Sequence, residues 1–448
     1  MGYTPGEAWG LDKMGPGTEK GTNPDDFRAL LLKRQEEGEG MNNPIDTGDT
    51  AWVLVCCSLV LMMTPALALF YGGMVRRKNV LSTLTLSYVF MALIGVQWVL
   101  YGYSLAFGES IGGLVGGLNF LGLQGVAGVP NPNYGKTIPH GLFAAFQMMF
   151  AVITPALITG AFVERVRFKS FLLFSLIWST LVYDPLAHWV WGKGGWLGAL
   201  GALDFAGGTV VHIAAGFSAL AFALVVGPRK GFGKTPMEPH NIPLTVIGAG
   251  LLWVGWFGFN AGSALSANGV AVNALLTTNT SAATAGLVWM LLSWLDGRPS
   301  TLGLATGMVV GLAAVTPASG FVTPMAAMVI GAVAAPLGYY GIRFRDKRRL
   351  DESLDVWACH GLASTWGMVA TGLFATVEVN SGGANGLFYG NPGQLPIQLL
   401  AIVVTMAFTF GVTFVVAKVL DWSIGLRVTT MEEEVGLDIS AHGERAYS

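Results

Sequence analysis

Two stretches decide the fold: GGTVVHIAAGFSALAFALVV (207–226) and VWACHGLASTWGMVATGLF (356–374). Each is apolar enough for a bilayer, and each holds one titratable ring near its start, His212 in the first and His360 in the second. An ionisable side chain in lipid is costly, and it faces a bundle interior or an aqueous path. The two stretches occupy matching places in the two halves of the chain. Together they point to a pore whose chemistry involves a proton.

The rest of the chain agrees with a bilayer setting. Of its 448 residues 52% are hydrophobic and only 12% are charged, whereas a soluble protein carries about 25% charged residues. The 62 glycines suit close approach of helix backbones in lipid. A net charge of −2 suggests no nucleic-acid partner. Cys56, Cys57 and Cys359 lie in apolar segments and read as small buried hydrophobes, with neither a disulfide framework nor a metal motif.

Apolar runs of about 17–25 residues mark spanning helices. Eleven are expected, at about 50–72, 79–107, 140–162, 168–190, 205–227, 243–263, 271–295, 301–317, 321–341, 357–377 and 395–420; the eighth is short and Gly-rich. Positive charge falls on alternate loops. Arg76, Arg77 and Lys78 follow the first span; Arg165, Arg167 and Lys169 the third; Arg229, Lys230 and Lys234 the fifth; Arg298 the seventh; Arg343, Arg345, Lys347, Arg348 and Arg349 the ninth. The intervening loops hold only Lys136 and Lys193. The positive-inside rule then places the N-terminus outside and the C-terminus in the cytoplasm of a multi-pass cell-membrane protein. Five helices is an odd number, so spans one to five and six to ten form an inverted repeat with one extra helix. A site between such halves is a transporter signature.

Three regions are expected. Residues 1–45 form a polar N-terminal extension with no signal-peptide pattern, a short helix at Phe27–Glu37 and an alternative start at Met41. Residues 46–422 are the helical bundle. Residues 423–448 form a cytoplasmic tail, whose Val435, Leu437 and Ile439 suit docking under the bundle.

Several residues could carry chemistry. Asp204 precedes His212 and reads either as a helix cap or as a stabiliser of a nearby cation. FQMMF supplies Phe146 and Phe150, AHWVW ends in Trp191, and WVGWFGFNAGSA supplies Trp256, Phe259 and Ser263. Each aromatic alone is ordinary core or interface. Taken together they fit a cation vestibule, since a ring face attracts a cation by about 0.5–2 kcal/mol, and Ser263 offers a hydroxyl acceptor. The two histidines read either as satisfied packing groups or as a proton-handling pair. Zinc needs a third ligand that is missing.

The strings ALFYGGMVRRKNVLS (68–82), FVERVRF (162–168), DFAGGTVVH (204–212), GWFGFNAGSA (255–264), DVWACHG (355–361) and GLDISAHGERAY (436–447) resemble the ammonium transporter (Amt/Mep/Rh) family. The resemblance runs from about residue 46 to the C-terminus and favours the Amt-type branch. It implies a homotrimer with one pore per subunit, an ammonium or methylammonium substrate, no cofactor and no enzymatic activity. It assigns Trp191, Ser263 and Phe150, with Phe146 as a second aromatic one turn before Phe150, to an outer recruitment site. Phe150 and Phe259 become a gate of stacked rings, His212 and His360 a twin-histidine lumen, Asp204 the residue that orders the outer site, and Trp256 part of the pore lining. The tail resembles the segment through which members couple subunits and meet a trimeric PII-type signalling protein. Met148-Met149 within the Phe–Phe motif, and Lys193 close to Trp191, depart from the family pattern. The expected function is ammonium recruitment outside, deprotonation near Asp204 and His212, and ammonia conduction along His212–His360, with the proton able to cross separately. The alternatives are a sensor on the same fold and an Rh-type channel for neutral gas.

Overall fold

A computed structural model describes residues 45–447; the expectations for the extension, including a helix at Phe27–Glu37 and a start at Met41, fall outside the described residues. Nine of the described helices are long and apolar enough to cross a membrane. They are α1 (Thr47–Met74), α2 (Arg77–Phe107), α3 (His140–Ala161), α4 (Phe168–Ala199), α5 (Gly208–Val226), α6 (Ile242–Gly262), α7 (Gly269–Leu295), α9 (Pro324–Lys347) and α11 (Gln394–Ile424). The segments expected as the eighth and tenth spans are also helical but shorter. The first is α8 (Thr301–Val315). The second, α10 (residues 357–374), opens on a wide π turn, Trp357–Leu362, and continues as Ala363–Phe374. At 1.5 Å per residue α8 covers about 22 Å, short of a hydrocarbon core of about 30 Å. The chain is a polytopic helical membrane protein.

Small residues set the packing. On α6, Gly248, Gly255, Gly258 and Gly262 recur at helical spacing against α1. A methyl on Gly248 would lie 2.4 Å from the Phe70 amide nitrogen, and one on Gly262 2.7 Å from Cys56 Cβ. With no apolar driving force between helices in lipid, this contact between backbones is what associates them. Polar ends are capped locally: Asp46 accepts from the Asp49 amide at 2.8 Å to start α1, and Asn268 and Ser300 do the same for α7 and α8.

The loops after α1, α3, α5 and α9 converge on one face, the face that also carries the tail. Glu164 accepts from the Arg76 amide at 2.7 Å and pairs with the Arg76 and Arg229 guanidiniums at 2.7 and 3.3 Å. Asp351 accepts from the Arg229 amide at 2.7 Å and pairs with its guanidinium at 2.8 Å. Arg165 is buried and donates to carbonyls of Ala161, Gly227 and Asp351. These are the loops whose cations alternate along the sequence, and most of those charges turn out to build the face.

The tail docks on this cluster. Its first residues make an antiparallel bridge between Val166 and Arg427. Two short helices follow, α12 (Thr430–Val435) and α13 (Leu437–His442). Glu433 accepts from the Lys230 amide at 2.5 Å and from Arg427 at 2.8 Å. Asp438 accepts from the Ser82 amide at 2.8 Å, and Asn79 accepts from the Leu437 amide at 2.8 Å. Of the three apolar residues expected to dock, Leu437 alone is buried; Val435 and Ile439 are 44% and 43% exposed. Buried carboxylates and backbone amides hold the tail, beside the buried side chains of Leu426, Val428 and Leu437.

This cluster makes the fold acid-sensitive. Burial pushes Glu164 and Asp351 up, but Arg229 and Arg76 around the first, and Arg229 and Arg165 around the second, more than offset it and hold both carboxyls below their ordinary range. A carboxylate depressed in the folded state contributes stability that is present above its unfolded pKa, about 4, and is lost as pH falls through the folded value. Thermal melts of the detergent-purified protein should therefore drop steeply below about pH 4. Asp351→Asn, which leaves buried Arg229 without its main partner, should cost about 3–5 kcal/mol near neutral pH and flatten that acid slope. A melting temperature that is level down to pH 3, or unchanged in the variant, contradicts this role.

Candidate functional site

DFAGGTVVH (204–212) builds the upper wall of the site. Asp204 spends its whole carboxylate on the start of α5. One oxygen accepts from the Gly207 and Gly208 amides at 2.8 and 2.6 Å, and the other from the Thr209 amide at 2.7 Å and the Thr209 hydroxyl. Gly207 has φ +120°, open to glycine and strained for other residues. The Asp204 carbonyl accepts from the Trp191 indole at 2.9 Å. Asp204 is thus joined to Trp191 and to the helix start, and none of its hydrogen bonds goes to His212.

Above this point a depression opens on the face opposite the tail, lined by Phe150, Trp191, Ser263, Gln147, Phe143 and Tyr134, among others. Trp191 meets Phe150 edge-on at 5.9 Å and 83°. The Ser263 hydroxyl donates to the Phe259 carbonyl at 2.8 Å, which leaves its oxygen lone pairs free to accept from a cation. Phe146, expected in the cage, is fully buried behind Phe150 in a T-shaped contact of 5.0 Å and does not line the depression. Phe143 and Gln147 stand there instead. Lys193 is exposed, and its amide donates to Tyr134 Oη at 3.2 Å.

The floor of the depression is a ring pair. Phe150 and Phe259 lie 4.3 Å apart, tilted by 40°. Below them runs a narrow lumen whose walls are Met63, Leu67, Phe70, Ile153, Leu157, Val211, Leu252, Trp256, Phe259 and Val309, with His212 and His360 as its only titratable lining among the described residues. Trp256 is fixed by a 2.9 Å bond from its indole to Thr316 Oγ1 and lies over His212 at 5.3 Å.

The two histidines meet. Their Nδ1 atoms are 3.2 Å apart, with the rings 22° from coplanar. Both sit on π turns, Gly208–Ile213 and Trp357–Leu362, a local form frequent at functional sites. One turn beyond His212, Gly216 touches Gly361, and a methyl there would lie 2.4 Å from the Gly361 Cα. This crossing of bare backbones lets the rings come within hydrogen-bond range. An Nδ1–Nδ1 contact holds one shared proton, so one ring donates and the other accepts. His212 Nε2 is buried with no protein partner.

Sequence reasoning missed Gln147, Phe143 and Tyr134. Gln147 was in view inside FQMMF, and a polar side chain in an apolar span is itself a signal. The wide turns carry no comparable mark.

The family model described as "Ammonium Transporter Family" matches residues 51–447. An ammonium transporter, Amt1, of Archaeoglobus fulgidus is 52% identical, over 90% of this chain and 99% of its own length. An ammonium transporter of Bacillus subtilis is 51% identical, over 89% and 98% respectively. Among solved structures, Candida albicans Mep2 superposes with a TM-score of 0.83 at 37% identity over 91% of each chain. A "Sensor Amt Protein" superposes at 0.81 with 29% identity, over 88% of this chain and 98% of that one. The chain belongs to the ammonium transporter family.

The Gly216–Gly361 crossing gives a direct test of how the ring pair is held. Gly216→Ala should lower unfolding stability by about 1–3 kcal/mol through overpacking, read as a fall in melting temperature in detergent. An unchanged melt would show that the crossing has slack and does not set the 3.2 Å contact.

Proposed function

We propose that this member of the ammonium transporter family moves ammonium across the membrane by recruiting the cation at the Trp191–Phe150–Ser263 depression, removing its proton and passing ammonia along the His212–His360 lumen. The observation that carries this reading is the histidine pair, a proton-handling group in hydrogen-bonded contact within an otherwise apolar passage.

Ammonium and potassium are alike in charge and size, so a plain cation hole passes both. At the depression the Trp191 and Phe150 rings offer about 0.5–2 kcal/mol of cation–π attraction. Ser263 Oγ and the carbonyl end of Gln147 add acceptors for the N–H groups of ammonium; potassium meets the same oxygens as a bare ion, so the vestibule alone does not sort the two. Past the ring pair the walls supply no counter-charge. A bare ion entering there loses its hydration at a cost of many kcal/mol. Ammonium escapes that cost by giving up its proton, whereas potassium has none to give. When His212 donates through Nδ1, its Nε2 becomes an acceptor facing the lumen, suited to the proton or to an N–H of ammonia. The proton then moves through the shared Nδ1 contact, separately from ammonia, and net transport is electrogenic. Asp204 serves by geometry: it fixes the start of α5 and holds Trp191 in place.

A sensor on the same fold is the second reading, supported by the "Sensor Amt Protein" likeness at 29% identity; relatives named as transporters reach 52%. The alternating loop cations support a cytoplasmic tail, and the transporter relatives support a cell-membrane setting. The family likeness further supports a homotrimer and a PII-type partner at the tail face. The mass of complexes formed in detergent with purified PII, across ATP, ADP and 2-oxoglutarate, checks both.

In proteoliposomes an ammonium pulse should drive an inward current, with none for equal potassium. Trp191→Ala and Ser263→Ala should each raise the half-saturating ammonium concentration about three- to tenfold, as loss of about 0.7–1.4 kcal/mol implies. A silent wild type would favour the sensor, and equal ammonium and potassium currents would defeat the proposal.

A further inference from the structure

A second ionisable group lies inside the membrane region, away from the lumen. Asp184 on α4 is fully buried. One carboxylate oxygen accepts from Gln97 Nε2 of α2 at 2.7 Å. Among the described residues the other, Oδ1, has no hydrogen-bond partner, and neither has the amide oxygen of Gln97. Gln97 stands at the start of the π turn Trp98–Gly102, and Asp184 directly follows the π turn Ser179–Tyr183. The two wide turns are in contact through Trp98 and Tyr183, whose rings are 6.3 Å apart. The amide of Gln97 lies over Gly102, where a methyl would stand 2.5 Å from its oxygen. Two helices thus widen at the same place around one acid–amide pair.

No cation is paired with Asp184 among the described residues. The titratable groups around it are few. Tyr183 is its neighbour, and Tyr103 packs on Trp98 from α2. His188, one turn further on, has its ring nitrogens taken up by Ala106 O and Ser110 Oγ. Of the elements packed on the α4 π turn, α3 carries only His140, which is bonded to Tyr103 Oη. The start of α5 carries His212, and α11 carries Lys418 and Asp421, both exposed at its tail end. A bare carboxylate here would be a buried charge beside a second acceptor, a costly arrangement. A proton on the carboxyl removes the charge and supplies the missing donor.

We propose that Asp184 is carried as the neutral acid, and that this bound proton joins the wide turns of α2 and α4 and so positions Trp191. The connection to Trp191 is short, since Asp184–Trp191 is one eight-residue helical segment. The site binds a proton and serves as a positioning element. The last clause rests on the recruitment role given to Trp191 above, whereas the protonation does not.

Infrared spectroscopy of the full chain in lipid tests the two parts separately. A carbonyl band of a protonated carboxylic acid should be present from pH 6 to about 9 and be absent in Asp184→Asn. That variant keeps a neutral side chain able to pair with Gln97, so its half-saturating methylammonium concentration should stay within about twofold of wild type. Asp184→Val and Gln97→Leu should raise it about tenfold, a loss of about 1.4 kcal/mol, at unchanged maximal rate. Absence of an Asp184-dependent acid band, or its loss on mild alkalinisation, overturns the proton site whatever transport does. A melting temperature that rises with sodium or potassium in wild type but not in Asp184→Asn overturns it in favour of a metal cation. A retained band with equal half-saturation in all variants overturns the positioning role alone.

Discussion

An ion inside the lumen has nothing with which to replace its water, and the rest of the structure depends on that constraint. Between Phe259 and Val309 the walls are aliphatic and aromatic, and among the described residues the only titratable lining is two imidazoles. Such a passage excludes charge by desolvation. It becomes useful only to a solute that can shed its charge at the entrance, and only if something inside can take the proton. The histidine pair therefore has meaning through its surroundings: two imidazoles in a wet cleft would discriminate nothing.

Holding two rings together inside a membrane bundle is a problem of backbone geometry. Helices carrying β-carbons at the crossing point could not come close enough, and Gly216 against Gly361 solves this by leaving both off. The π turns do related work by advancing the backbone around His212 and His360 before regular helix resumes. Asp204 supplies the fixed end. Its four accepted bonds lock the start of α5, and its carbonyl holds Trp191. Mouth and lumen are thus tied together through one short segment. The tail face is built on another principle, a net of buried carboxylates and arginines that joins loops distant in sequence.

Much of this was legible in the sequence because it rests on local pattern. Apolar runs marked the long helices, and the cations at Arg76, Arg165 and Arg229 marked loops that do converge. FQMMF, AHWVW, DFAGGTVVH, GFNAGS and DVWACHG carried the site residues, and the structure brings Trp191, Phe150, Phe259, Ser263, His212 and His360 into one continuous file. What escaped depends on which way a helix faces. Phe143, Phe146, Gln147 and Phe150 are all within two turns of α3, and the spacing alone does not say that Phe146 turns behind Phe150 while Phe143 and Gln147 turn to the mouth. The wide turns escaped for a similar reason: their i→i+5 bonds depend on packing around them, as the Gln97–Asp184 contact shows. In the tail, apolar punctuation pointed to Leu437 but not to the polar contacts, because Glu433 and Asp438 reach backbone amides that no sequence pattern displays.

The central claim is that selectivity against potassium comes from deprotonation into a charge-excluding lumen served by the histidine pair. The most direct measurement is the potassium and ammonium current of the His212→Ala/His360→Ala variant in planar bilayers, beside wild type. Opening that volume to water and removing the proton acceptors should let charge through unsorted, so the account predicts potassium current comparable to ammonium current in the variant. A variant that still conducts ammonium while excluding potassium would contradict it.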